Sequence, residues 1–85
     1  MQPKILIIED ENDIHHLLAE ILKAEGCQTL SAFSGTEALL LLDRESPDLI
    51  LLDLMLPGLP GEKLLGTIRE ERHLSIPVLI LSAKG

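Results

Sequence analysis

Apolar positions recur along this chain in two rhythms. Ile5-Leu6-Ile7-Ile8 is an unbroken run rich in β-branched residues and reads as a strand buried on both faces. A polar turn from Glu9 to Asp13 follows, with Asn12 or Asp13 as the expected N-cap. Ile14, Leu17, Leu18, Ile21 and Leu22 then fall at i, i+3, i+4, i+7 and i+8, which predicts a helix packed along that face. Gly26 suits its C-terminus, where a left-handed residue is often required. Cys27 to Ala32 reads as a weaker second strand. Ser34-Gly35-Thr36-Glu37 has capping-box spacing and opens a helix whose apolar face is Ala38, Leu39, Leu41 and Leu42.

Pro47 marks a break before Leu49-Ile50-Leu51-Leu52, a second clear buried strand that ends at Asp53. Leu54 to Gly61 carries Pro57, Gly58, Pro60 and Gly61 and reads as a loop. Leu64, Leu65 and Ile68 mark a third amphipathic helix, and Pro77 precedes a last strand, Val78-Leu79-Ile80-Leu81. The order is βαβαβαβ. Strands alternating with helices imply a parallel sheet, because parallel neighbours need crossover connections.

This order focuses attention on the strand ends. The first strand runs into Glu9 and Asp10, the third into Asp53 and the fourth into Ser82. In an open α/β sheet, ligands bind outside the carboxyl ends of the strands, where strand order reverses. With the order 2-1-3-4 that point lies between strands one and three, so Glu9, Asp10 and Asp53 converge there. Each carboxylate pair at about 4 Å costs roughly 4 kcal/mol at an effective dielectric of 20. A hard divalent cation answers this repulsion, and Mg²⁺ favours one or two carboxylates, waters and a phosphate oxygen. Asp53 can also act as a nucleophile toward phosphorus, and a hydroxyl such as Ser82 can hold a phosphoryl oxygen. An acid after a strand is often only a turn former or cap, and Ser82 alone carries no information. The coincidence of the acids and Ser82 at the strand ends carries the weight.

Composition narrows the function further. The 85 residues suffice for one small domain and include a single cysteine, Cys27, so no internal disulfide forms. The core must be aliphatic, since Phe33 is the only aromatic residue. A net charge of −7 without a basic run argues against nucleic-acid contact by this segment. No signal peptide and no membrane-spanning run is evident, and a cytoplasmic setting is expected. His15 and His16 read as a solvated helix flank, because neither has a second ligand at zinc-like spacing.

These residues carry a resemblance. Lys4 to Glu11 resembles the first strand and acidic pair of the receiver domain of response regulators, the CheY-like switch of two-component signalling. Pro47 to Gly58 resembles its third strand with the phosphoacceptor aspartate, Gly61 the glycine opening its third helix, and Pro77 to Ala83 its fourth strand with a Ser/Thr. The resemblance implies a flavodoxin-like doubly wound parallel sheet. It implies that Asp53 accepts a phosphoryl group from a sensor histidine kinase or phosphotransfer protein. Asp10, Asp53 and the backbone carbonyl of Met55 would bind Mg²⁺ directly, and Glu9 mainly through water. Ser82 would contact the phosphoryl group and propagate the switch.

The chain departs from the family mildly at Glu9, where Asp is commoner, and at Pro60, where a polar residue is usual. The larger departure is length. Family domains run to about 120 residues, so residues 1–85 are expected to be the N-terminal two-thirds of one receiver domain. The final strand, the last two helices and the site lysine would lie beyond Gly85, and Lys84 is not given that lysine's role. The reading is a switch rather than an enzyme, since Met55 stands where a phosphatase of this kind would carry a second acid. The alternative is a receiver-like interaction fragment that is not phosphorylated. The fourth strand, uncharged and without an internal proline, would be an exposed edge, which predicts self-association as a homodimer.

Overall fold

A computed structural model describes residues 2–56, 59–72 and 74–81. The elements are β1 (Lys4–Ile8), α1 (Asn12–Ala24), β2 (Gln28–Ala32), α2 (Gly35–Leu42), β3 (Leu49–Asp53), α3 (Gly61–Gly66) and β4 (Val78–Leu81). A π-helical stretch, Thr67–Glu71, continues α3. The strands form one parallel sheet in the order β2-β1-β3-β4, so the doubly wound architecture and the reversal between β1 and β3 are as expected.

The continuous apolar runs do what two-sided burial requires. On one face Leu6, Ile8, Ile50 and Leu52 are buried under Ala38 of α2 and under Leu56, Leu64 and Ile68. On the other, Ile5, Ile7 and Leu51 pack against Ala19 of α1, with Leu18, Leu22 and Cys27 alongside. Burying one such side chain contributes about 1.5–3 kcal/mol. Without aromatic bulk, the core depends on nearly every aliphatic residue in these strands.

The α1 expectation needs correction. Leu18 and Leu22 face the sheet, but Ile14, Leu17 and Ile21 are exposed (43%, 57% and 52%). The buried helical positions are His15 and Ala19, which share the inner row with Leu18 and Leu22. The apolar stripe is two rows wide, and α1 seats on the row carrying small Ala19. The start of α1 differs too. Its N-cap is Glu11, which makes no side-chain cap, rather than Asn12 or Asp13.

Its end follows expectation. Gly26 has φ +89°, its N–H donates to Lys23 O, and Cys27 N–H donates to Leu22 O. At α2, Ser34 Oγ accepts from Glu37 N–H, while Glu37 Oε1 accepts from Phe33 N–H rather than from Ser34. The far edge is tied by Lys4 to Glu45 and by Arg72 to Asp43, ion pairs worth about 0–1 kcal/mol at a solvated surface.

Candidate functional site

The acidic residues meet at the carboxyl ends of β1 and β3. Glu9 follows β1 directly and is 3% exposed. Its backbone is held on both sides. The N–H donates to Ala32 O at the end of β2 (3.1 Å), and the carbonyl accepts from His15 Nδ1 (2.9 Å). The carboxylate turns back to accept from Glu11 N–H (3.0 Å). Asp10 is exposed beside it.

Asp53 closes β3 and is half-buried, with Oδ1 accepting from Met55 N–H at 3.0 Å. Behind it α3 starts in close contact with the strand end. Gly61 N–H donates to Leu54 O (3.3 Å), and a Cβ at Gly61 would lie 2.6 Å from Leu54 Cα and 3.1 Å from Asp53 O. Only glycine permits this approach.

One carboxylate oxygen from each of Glu9, Asp10 and Asp53 lies within 4.8 Å of the other two. The electrostatics follow from that crowding. Burial raises the Glu9 carboxyl above the ordinary glutamate value, the charges of Asp53 and Asp10 push the same way, and the Glu11 N–H partly offsets them. An all-oxygen donor set of this kind, strained by its own repulsion, fits a hard cation such as Mg²⁺.

The sequence-predicted acids are therefore brought together, and Met55 lies in the loop directly after Asp53. Ser82 and Lys84 lie outside the described residues. What the sequence reading missed is His15. It is not solvated: the ring is buried, stacks on Phe33 with centroids 4.1 Å apart and planes 16° from parallel, and reaches the Glu9 carbonyl. The available signal was its place four residues before Ala19, on the same side of the helix. Among the described residues no helix is long and apolar enough to cross a membrane.

Fold and site together define a doubly wound α/β domain with an acidic pocket at its switch point. Residues 5–85 match the response regulator receiver domain, and the chain belongs to that family. It is 40% identical over 85 residues to sporulation initiation phosphotransferase F of Bacillus subtilis, aligning all of this chain with 68% of that protein. It is 42% identical over 84 residues to an alkaline phosphatase synthesis transcriptional regulatory protein of the same organism, where 99% of this chain aligns with only 35% of the relative. Among solved structures, the N-terminal domain of a response regulator receiver protein from Methanoculleus marisnigri superposes with a TM-score of 0.91 at 36% identity, over 95% of this chain and 67% of that one. Receiver domains are phosphoacceptor switches of two-component signalling, bind Mg²⁺ in an acidic pocket and interact with histidine kinases or phosphotransfer proteins.

Proposed function

We propose that this chain accepts a phosphoryl group on Asp53 from a phosphohistidine of a sensor histidine kinase or phosphotransfer protein. The observation that supports this most directly is the convergence of Glu9, Asp10 and Asp53 within 4.8 Å at the switch point. An Asp53 carboxylate oxygen attacks phosphorus, the P–N bond of the donor breaks, and its imidazole leaves with the electron pair. Met55 N–H holds Asp53 Oδ1, which fixes the carboxylate plane and leaves Oδ2 for attack. Asp10, Asp53 and the Met55 carbonyl would hold Mg²⁺, with Glu9 acting mainly through water. Bound there, the ion would offset charge on the transferring group. Ser82, following β4, is proposed to hold a phosphoryl oxygen and pass on the change. Residues 1–85 are proposed to be part of one receiver domain, acting as a switch in the cytoplasm and not as a turnover enzyme or a nucleic-acid binder.

Acetyl phosphate labelling with Mg²⁺ tests the reading. Wild type should label slowly and partially, because the phosphoryl group lacks a charge-assisted lysine partner within residues 1–85, and Asp53→Asn should not label while melting like wild type. Labelling that persists in Asp53→Asn removes Asp53 as acceptor, and the absence of labelling in wild type favours a receiver-like interaction fragment. Rapid multiple turnover would instead indicate an enzyme.

The 85-residue chain is also proposed to associate with itself through β4. Among the described residues this strand is one of the two sheet edges, and Leu79 and Ile80 are 56% and 40% exposed on opposite faces. Unpaired N–H and C=O groups on an uncharged edge recruit another strand, and a two-fold pairing is the simplest closed form. Light scattering at micromolar concentration should report a dimer, whereas a monodisperse monomer with a sharp melt rules it out.

A further inference from the structure

We propose that His15 is a positioning residue for the acidic pocket, setting the backbone that carries Glu9 and Asp10 through its hydrogen bond to the Glu9 carbonyl. The inference rests on the reading of Glu9, Asp10 and Asp53 as a divalent-cation site.

Glu9 leaves β1 with its N–H fixed to Ala32 O, so the end of β1 is anchored to β2. From there to the first turn of α1, the chain is held by Glu11 N–H on the Glu9 carboxylate and by the contact on the Glu9 carbonyl, and the latter bears on the peptide that carries Asp10. That carbonyl is held by His15 Nδ1 at 2.9 Å in a buried contact. Since a carbonyl oxygen only accepts, Nδ1 carries the proton.

The ring cannot easily turn away. Phe33, at the end of β2, stacks on it 4.1 Å away, and Phe33 is itself fixed by its N–H on Glu37 Oε1. His15 Nε2 is buried without a hydrogen-bond partner among the described residues. A buried polar atom left unpaired is a cost that an apolar ring would avoid. Among the described residues, the polar contact of the imidazole is to the residue that carries the pocket's first acid.

Two variants separate this role from mere packing. His15→Phe keeps a ring on Phe33 and removes the donor. His15→Asn loses the stack but keeps an N–H one bond from Cγ, where Nδ1 stands in histidine. Mn²⁺ binding to the 85-residue protein, read by electron paramagnetic resonance, is the measurement, with a circular-dichroism melt of each variant beside it. We expect His15→Phe to bind Mn²⁺ about tenfold more weakly, the lower end of what losing a supporting partner does to a metal site. His15→Asn should stay within about twofold of wild type despite a lower melting temperature.

Wild-type affinity in His15→Phe overturns the proposal, as does weakening of both variants in proportion to their lost stability. Nitrogen NMR of wild type gives a check independent of metal: the ring proton must sit on Nδ1, and a proton found on Nε2 alone overturns the assignment. If wild type binds no Mn²⁺ while the NMR shows Nδ1–H, the cation reading fails and the proposal falls with it, a result distinct from His15 failing at an occupied site.

Discussion

Replacing Gly61 with alanine puts a methyl group in place of a hydrogen at the tightest point behind the pocket. The added Cβ would lie 2.6 Å from Leu54 Cα, 2.8 Å from Leu54 Cδ2 and 3.1 Å from Asp53 O. The Leu54 side chain can rotate aside, but its Cα and the Asp53 carbonyl belong to the chain leaving β3. Restoring ordinary contact at 3.4 Å therefore requires the start of α3 and the end of β3 to separate by about 0.8 Å. Leu64 and Ile68, both fully buried, resist that shift. The expected cost is about 3 kcal/mol, the upper end of the range for overpacking, out of a total of roughly 5–15 kcal/mol.

Gly66 provides the control in the same helical run. Its backbone is already helical (φ −60°, ψ −42°) and nothing lies within 4 Å of a Cβ placed there. Gly66→Ala should stabilise by about 1 kcal/mol. Urea unfolding followed by circular dichroism reads both, with the Gly61→Ala midpoint falling by about 1–3 M at the slopes usual for small domains and the Gly66→Ala midpoint rising. If Gly61→Ala unfolds at the wild-type midpoint, the contact between α3 and the Asp53 strand end is not tight and the argument for that glycine fails.

Other consequences can be checked alongside. The Glu9 carboxyl titrates above its ordinary 4.5 in the folded chain, so the native state holds its proton more tightly than the unfolded state. Stability without divalent cations should therefore fall as pH rises from the ordinary glutamate value through the raised one, and stay lower above it. Glu9→Gln should flatten that slope, and urea midpoints across the acidic to neutral range would show an unchanged slope if burial and Asp53 did not act on Glu9. Leu79→Lys should shift the light-scattering mass toward monomer while retaining the melt, and a persistent dimer would place the interface elsewhere. Ile68→Ala, at a fully buried position in the π-helical stretch, should cost about 2–5 kcal/mol by urea denaturation.

The parts of the fold legible in the sequence were those with one dominant signal. Ile5–Ile8 and Leu49–Leu52 are too continuous and too short for anything but buried strands, and Gly26 announces a left-handed helix end. The acids were legible because they follow those runs without a spacer. The seating of α1 was not legible. A stripe containing Ile14, Leu17, Leu18, Ile21 and Leu22 can turn either row inward, and hydrophobicity alone favours burying all five. The structure prefers the row with Ala19, whose small side chain lets the helix approach Ile5 and Ile7, and this carries polar His15 inward with it. His15 was unreadable for the same reason: its partner is a backbone carbonyl, and a backbone atom leaves no mark in a sequence pattern. The π-helical stretch after Gly66 was equally silent, since a widened turn changes no residue spacing that apolar periodicity can register over five residues.

The pocket's position also explains why its acids can be tolerated at all. Glu9, Asp10 and Asp53 repel one another, and desolvation adds to the strain at Glu9. Nothing in their own side chains resolves this, because Met55 and Glu11 N–H groups each satisfy only one oxygen. What prevents the two strand ends from swinging apart is the residue before Glu9 and the residue before Asp53. Ile8 and Leu52 are paired across the sheet and fully buried, so β1 and β3 cannot separate without exposing both. Two such side chains contribute together about 3–6 kcal/mol, comparable to one carboxylate repulsion at about 4 kcal/mol. Truncating either should therefore loosen the acids as well as the core. Ile8→Ala or Leu52→Ala should lower Mn²⁺ affinity beyond what an equally destabilising change remote from the pocket does. Leu64→Ala is a poor comparison because α3 abuts Asp53. Ile5→Ala is a better one, the same truncation at a buried position at the opposite end of β1 from Glu9. Equal Mn²⁺ affinity in Ile8→Ala and Ile5→Ala at matched stability would show that the apolar pair holds the core but not the pocket.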